Sequence, residues 1–178
     1  PAAPPSSAKA PPNVVPNSPA AKAAIEAAIR KAAGKPTGEL TKADLERVTR
    51  LNLPGVGITD LSPLAGLKQL KELWLNNNQF TDVSPLAGLK QLKYLRLDNN
   101  HKLTDVSPLA ELKQLKELWL VGNPNLTNLN PLAEITQLEK LNLYNNKLTD
   151  VSALAGCTQL KYLDLSQNQL TNLSPLTK

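Results

Sequence analysis

From Val48 onward the chain is a series of near-copies of one segment, LxxLxLxxNxLTDVSPLAGLKQ, and a fixed short period constrains the fold more than any other feature. Successive units begin at Val48, Leu70, Leu92, Leu115, Leu138 and Leu160, with lengths of 22, 22, 23, 23 and 22 residues and a truncated sixth of 19. The extra residues fall around His101 and Pro124, in turns. A single unit of this kind carries a row of leucines that it cannot bury, so neighbours must stack and share one continuous core. Leu73 and Leu75 fit one face of a short strand, and alternation sends Trp74, between them, to the opposite face. The return segment DVSPLAGL is short and contains proline, which favours an extended or 3₁₀ path and a thin outer side.

The other regions read differently. Residues 1–17 hold six prolines and almost nothing that could enter a core, so they are expected to form a Pro-rich disordered tether. Residues 18–47 are expected to be a helical cap. Ser18 suits the N-cap, Pro19 the first helical position and Gly34 the end, with Ile25 and Ile29 on the apolar side and Lys22, Glu26 and Arg30 in a charged row. A second, shorter helix starts at Thr41, with Asp44 completing a weak capping box. With 3% aromatics against 41% hydrophobic residues, the core must be aliphatic. The net charge of +5 comes from lysines spread along the chain, which speaks for solubility rather than nucleic-acid binding. No apolar run reaches the roughly 18 residues of a membrane span. A chain that begins with Pro1 and lacks methionine is expected to be processed or trimmed, with any signal peptide removed.

The unit matches the leucine-rich repeat pattern, and the recurring LTDVSPLAGLKQLKEL behind two helices resembles the internalin-like class of bacterial leucine-rich repeat proteins. The resemblance covers residues 20 to 178. It implies an α/β leucine-rich repeat solenoid: a curved right-handed superhelix with a concave parallel β-sheet, a short extended or 3₁₀ convex side and an N-terminal helical cap. It also implies a secreted or cell-envelope protein of a bacterium that binds protein partners through its concave face. No immunoglobulin-like segment, wall anchor or sorting signal follows the repeats, so a host-cell receptor is not implied.

Several residues that look chemical read as structural. Asn78, Asn100, Asn123, Asn146 and Asn168 share one position where a buried amide can bond the turns of adjacent units, and Val56 breaks that ladder in unit one. Asp60, Asp82, Asp105 and Asp150, with Asn128 and Asn172, recur once per unit and are expected to hold turn amides, since they lack the clustered oxygens of a calcium loop. Cys157 occupies a core leucine position. His101 is the only histidine, so neither a Ser-His-Asp triad nor a two-histidine metal site can be assembled; no catalytic residue, metal or cofactor is expected.

The outward strand positions hold every Trp and Tyr in the chain. From them the expected ligand-binding residues are Glu72, Trp74, Tyr94, Arg96, Asp98, Glu117, Trp119, Tyr144 and Tyr162. Arg96 is expected to lie between the indoles of Trp74 and Trp119, held by Asp98. A row of lysines, Lys68, Lys71, Lys90, Lys93, Lys113, Lys116 and Lys161, reads either as a solvated edge or as a site for an acidic partner. The function expected is non-enzymatic binding of a protein or peptide, with carbohydrate or cell-wall polymer as the alternative, since paired indoles can stack on sugars, and a structural spacer as the third reading. The protein is expected to be monomeric unless the open C-terminal edge pairs.

Overall fold

The computed structural model describes residues 14–177. Most of the expected tether, residues 1–13, therefore lies outside the described residues. Two helices, α1 (Pro19–Ala33) and α2 (Lys42–Leu45), precede six three-residue strands: β1 (Arg50–Asn52), β2 (Glu72–Trp74), β3 (Tyr94–Arg96), β4 (Glu117–Trp119), β5 (Lys140–Asn142) and β6 (Tyr162–Asp164). The strands form one parallel sheet in chain order, and the register aligns Leu51, Leu73, Leu95, Leu118, Leu141 and Leu163 in a single row. Each strand returns through a 3₁₀ turn, the first being Ser62–Leu64 and the last Ser174–Leu176. Both helix and sheet interiors come together in one core running from Ile25 to Cys157.

The two-sided character of each unit follows from its leucines. Leu73 and Leu75 are fully buried while Trp74 between them is 37% exposed, which fixes the register that alternation predicts. Phe80, the only phenylalanine, is buried where Leu103, Leu126 and Leu148 stand in later units. Cys157 is buried too, and burial pushes its thiol pKa up.

The asparagine column joins the units. Asn100 donates its amide to Leu75 O (3.1 Å) in the preceding unit and Leu97 O (2.9 Å) in its own, while its carbonyl oxygen accepts the backbone N–H of Asn78 (3.1 Å). Asn123 and Asn146 repeat this one unit further along. Where Val56 interrupts the column, Asn78 Oδ1 takes the Ile58 N–H instead, at 2.9 Å. The residue before each column position has a positive φ: Gly55, Asn77, Asn99, Gly122, Asn145 and Gln167 all lie between 56° and 65°. Glycine and asparagine tolerate that left-handed conformation best, which explains the recurring Asn-Asn and Gly-Asn pairs. The recurrent acids behave as turn formers: Asp60, Asp82 and Asp105 each accept the N–H two residues on at 2.8 Å.

At the N-terminal end α1 lays Ala21, Ile25, Ile29 and Ala33 over unit one. Ser18 caps it and Gly34 ends it at φ 69°. Thr41 and Asp44 form a reciprocal capping box, and Asp44 also takes the Lys35 ammonium at 2.9 Å. One residue departs from the expected tether. Asn17 is only 5% exposed; its carbonyl oxygen accepts the N–H of Thr59 (2.8 Å) and Asp60 (3.0 Å), and its amide donates to Asp60 O (2.7 Å). A side chain from outside the repeats thus binds the turn of unit one, and Asn17 belongs with the cap.

Two predictions follow from these contacts. Asn100→Leu should lower stability by more than about 2 kcal/mol, because it strands buried backbone groups in two units, and Asn17→Ala by about 1 kcal/mol; urea titration of each variant measures both. Acid should also loosen the repeats. Lys116 and Lys161 hold the Glu139 carboxyl at about 2 against its ordinary 4.5, so its stabilisation is complete above 4.5 and lost as pH falls towards 2. Asp44 acts in the same sense, its carboxyl held well below the carboxylate range by the Lys35 ammonium. Melting temperatures measured across that interval should fall, and Glu139→Gln should flatten part of the fall.

Candidate functional site

The sheet face opposite the core carries two strand rows. The register sets Arg50, Glu72, Tyr94, Glu117, Lys140 and Tyr162 side by side in one, and Asn52, Trp74, Arg96, Trp119, Asn142 and Asp164 in the other. Five large apolar residues are exposed among the described residues, and three of them, Trp74 (37%), Tyr144 (40%) and Tyr162 (42%), lie on this face. Glu72, Trp74, Tyr94, Leu95, Arg96, Glu117 and Trp119 enclose an open hollow of about 270 Å³ at its centre. Neighbouring strands lie only about 4.8 Å apart, so all these side chains are presented at close spacing from a rigid support.

Ion pairs fix the rim. Arg50 grips both carboxylate oxygens of Glu72 at 2.7 Å, and Lys140 holds Glu117 at 2.8 Å. Each pair raises the pKa of its cation, chiefly through the hydrogen bond to the carboxylate. Both cations stand on strands outside the hollow, so the two acids face Tyr94 from either side with their charge already matched.

Arg96 takes one indole rather than two. Its guanidinium bonds Asp98 at 2.9 and 3.0 Å and lies over Trp119, the central carbon 4.9 Å from the ring centroid. Asp98 explains the choice, because its other oxygen accepts the Val121 N–H at 3.1 Å and draws the pair towards unit four. Trp119 also stacks on Tyr162, centroids 6.2 Å apart and planes at 25°. Arg96 from β3 and Tyr162 from β6 thus flank Trp119, while Trp74 has no ring or cation–π partner among the described residues. Asp98 is 4% exposed and positions Arg96 from beneath.

The sequence-expected residues divide accordingly. Glu72, Trp74, Tyr94, Arg96, Glu117 and Trp119 meet at the hollow. Tyr144 and Tyr162 stand nearer the C-terminal end of the face, with buried Asn142 between them, its carbonyl oxygen accepting the Tyr144 N–H at 2.9 Å and its amide donating to the Tyr162 hydroxyl at 3.4 Å. Asn142, Arg50 and Lys140 are supporting residues that the list of expected ligands omitted; their alignment with Trp119, Glu72 and Glu117 one unit away was the available signal. Among the described residues no group of three or more His, Cys, Asp or Glu is placed to hold a metal ion.

The profile of the family described as "Leucine Rich repeats (2 copies)" matches residues 46–88, 90–134 and 136–178. Among solved structures, internalin C2 of Listeria monocytogenes superposes with a TM-score of 0.81 at 36% identity, over 86% of this chain and 68% of that one. The chain is an internalin-like leucine-rich repeat protein. Internalin F of the same organism gives a TM-score of 0.69 at 31% identity, over 86% of this chain and 52% of that one. A structure of PEPR1–AtPEP1 gives 0.64 at 27% identity, over 75% of this chain and 20% of that one. This internalin-like chain thus spans about two thirds of internalin C2 and half of internalin F. Comparison with curated protein sequences gives no match.

Within this internalin-like fold the two tryptophans should behave differently. Trp74→Ala should change stability by less than about 1 kcal/mol, as exposed sites usually do. Trp119→Ala should cost about 1 to 2 kcal/mol, since it removes a ring stack and a cation–π contact together. Single-tryptophan variants provide an independent check: with Trp119→Phe the remaining Trp74 should emit at long wavelength and be quenched readily by acrylamide, and with Trp74→Phe the remaining Trp119 should be shielded.

Proposed function

We propose that the chain is a non-enzymatic binding module that takes a protein or peptide ligand on its concave face, centred on the hollow between Trp74 and Trp119. The observation that carries this reading is Trp74, a large ring held over a rigid sheet with 37% of its surface in solvent and no ring partner among the described residues. Parallel sheets are normally covered on both faces. Here one face is open and holds the chain's tryptophans and tyrosines, side chains that dominate interface energies. Because Arg96 is already fixed by Asp98 and Trp119, and Tyr162 by Trp119, little side-chain freedom remains to be lost on docking.

The same contacts favour protein over carbohydrate. Stacking a sugar between paired indoles requires two free ring faces, and Trp119 is flanked by Arg96 and Tyr162. An exported location, at the bacterial surface or in the medium, is part of the proposal; it draws on the likeness to the internalins. Among the described residues no helix is long and apolar enough to cross a membrane.

Binding of the full chain to a panel of bacterial surface proteins and, in parallel, to an array of polysaccharides tests the reading. A protein ligand whose affinity falls about 30-fold or more with Trp74→Ala, the size of a hot-spot residue, is the expected result. Retention by polysaccharide alone would favour the carbohydrate reading, and binding indifferent to Trp74 would move the site off this face.

A further inference from the structure

The repeats supply an internal comparison that the hollow alone does not. Two lysine positions recur at the edge of the sheet where each strand starts. In the first, Lys90 pairs with Glu111 at 2.7 Å and Lys113 with Glu134 at 3.0 Å, each reaching an acid one unit on. Lys68 has Gly88 at the matching place, and its ammonium lies 2.5 Å from where a Cβ would stand. In the second, backbone bonds run from Lys93 N to Lys71 O, Lys116 N to Lys93 O, Glu139 N to Lys116 O and Lys161 N to Glu139 O, so these residues are direct neighbours in one column. Glu139 answers Lys116 and Lys161, both at 2.7 Å.

Among the described residues Lys68, Lys71 and Lys93 have no such carboxylate, although four lysines of the same rows do. Lys71 and Lys93 immediately precede Glu72 and Tyr94, which line the hollow. The acids there are matched one to one: Glu72 by Arg50, Glu117 by Lys140 and Asp98 by Arg96. The unmatched charge beside the hollow is therefore positive, and adjacent like charges on neighbouring strands repel until something neutralises them.

We propose that Lys68, Lys71 and Lys93 form, with Trp74 and Tyr94, one docking surface for an acidic extended segment of a partner protein. Its carboxylates meet the lysines and an apolar side chain enters the hollow. The inference rests on the concave-face reading and adds to it the charge of the partner. The lysines steer the encounter and set its dependence on salt, while the rings hold the complex once formed.

Selection of a random peptide library, displayed on phage, against the immobilised full chain tests this. The expected peptides carry Asp or Glu beside an apolar residue; their affinity falls at least about tenfold with Lys71→Glu/Lys93→Glu and weakens with added salt. The same reversal at exposed Lys22 and Lys31 of α1, Lys22→Glu/Lys31→Glu, should leave it within about twofold, as a remote surface change does. Peptides that depend on Trp74 yet show no acidic enrichment and bind the Lys71→Glu/Lys93→Glu variant as well as the parent would overturn the acidic partner and leave the concave site standing. Acid-rich peptides that bind Trp74→Ala at full affinity would overturn both. A selection yielding no enriched peptide would contradict an extended-segment ligand.

Discussion

The buried asparagine column is the constraint on which the rest of the molecule depends. Every unit turns sharply after its strand, and that turn leaves backbone N–H and C=O groups inside the core where water cannot reach them. Asn78, Asn100 and Asn123, 4% exposed or less, bond those groups in their own unit and in a neighbour at once. An unmet buried polar group costs about 1 to 3 kcal/mol, so the column decides whether stacking the leucine faces is favourable at all. It also demands a left-handed residue just before it, and the chain places Gly or Asn there in five of six units, Gln167 being the exception. Asn17 extends the same solution to the N-terminal end, bonding the first turn from outside the repeats.

Because the column and the leucines carry the fold, the opposite face of the sheet is released from structural duty. Its residues make their own arrangement of ion pairs and ring contacts on top of a scaffold that does not need them. The consequence is a surface whose composition can change from unit to unit while the core stays constant. Glu111 and Glu134, where the repeat has the glycine seen at Gly66, Gly88 and Gly156, and Glu139, where it has a lysine, are departures of this kind. They neutralise Lys90, Lys113, Lys116 and Lys161 and, among the described residues, leave Lys68, Lys71 and Lys93 unmatched near Trp74 and Tyr94, and this coincidence gives the proposed site its location.

Much of this was legible in the sequence, for a physical reason. Strand alternation, stacking of incomplete units and turn chemistry all act over short, repeated distances, so the register, the amide ladder, the turn-forming acids and the Thr41–Asp44 box could be read from spacing. What escaped depended on the last bond rotations of single side chains. Asp98 stands where alternation points outward, but β3 ends at Arg96, and beyond it the carboxylate turns inward to the Val121 N–H. That turn in its carboxylate draws Arg96 to Trp119 and leaves Trp74 free. Asn17 escaped for another reason, since a proline-rich context gives no periodic signal for a lone buried amide.

The central claim is that the amide column holds the solenoid together while the concave face is free to bind, and residue-resolved hydrogen exchange of the parent and of Trp74→Ala tests it most directly. The backbone amides of Asn78, Asn100 and Asn123 should be among the slowest to exchange, at rates set by global unfolding and unchanged in the variant. Exchange at those amides as fast as in the exposed turns, or a general loss of protection when Trp74 is removed, would contradict the account.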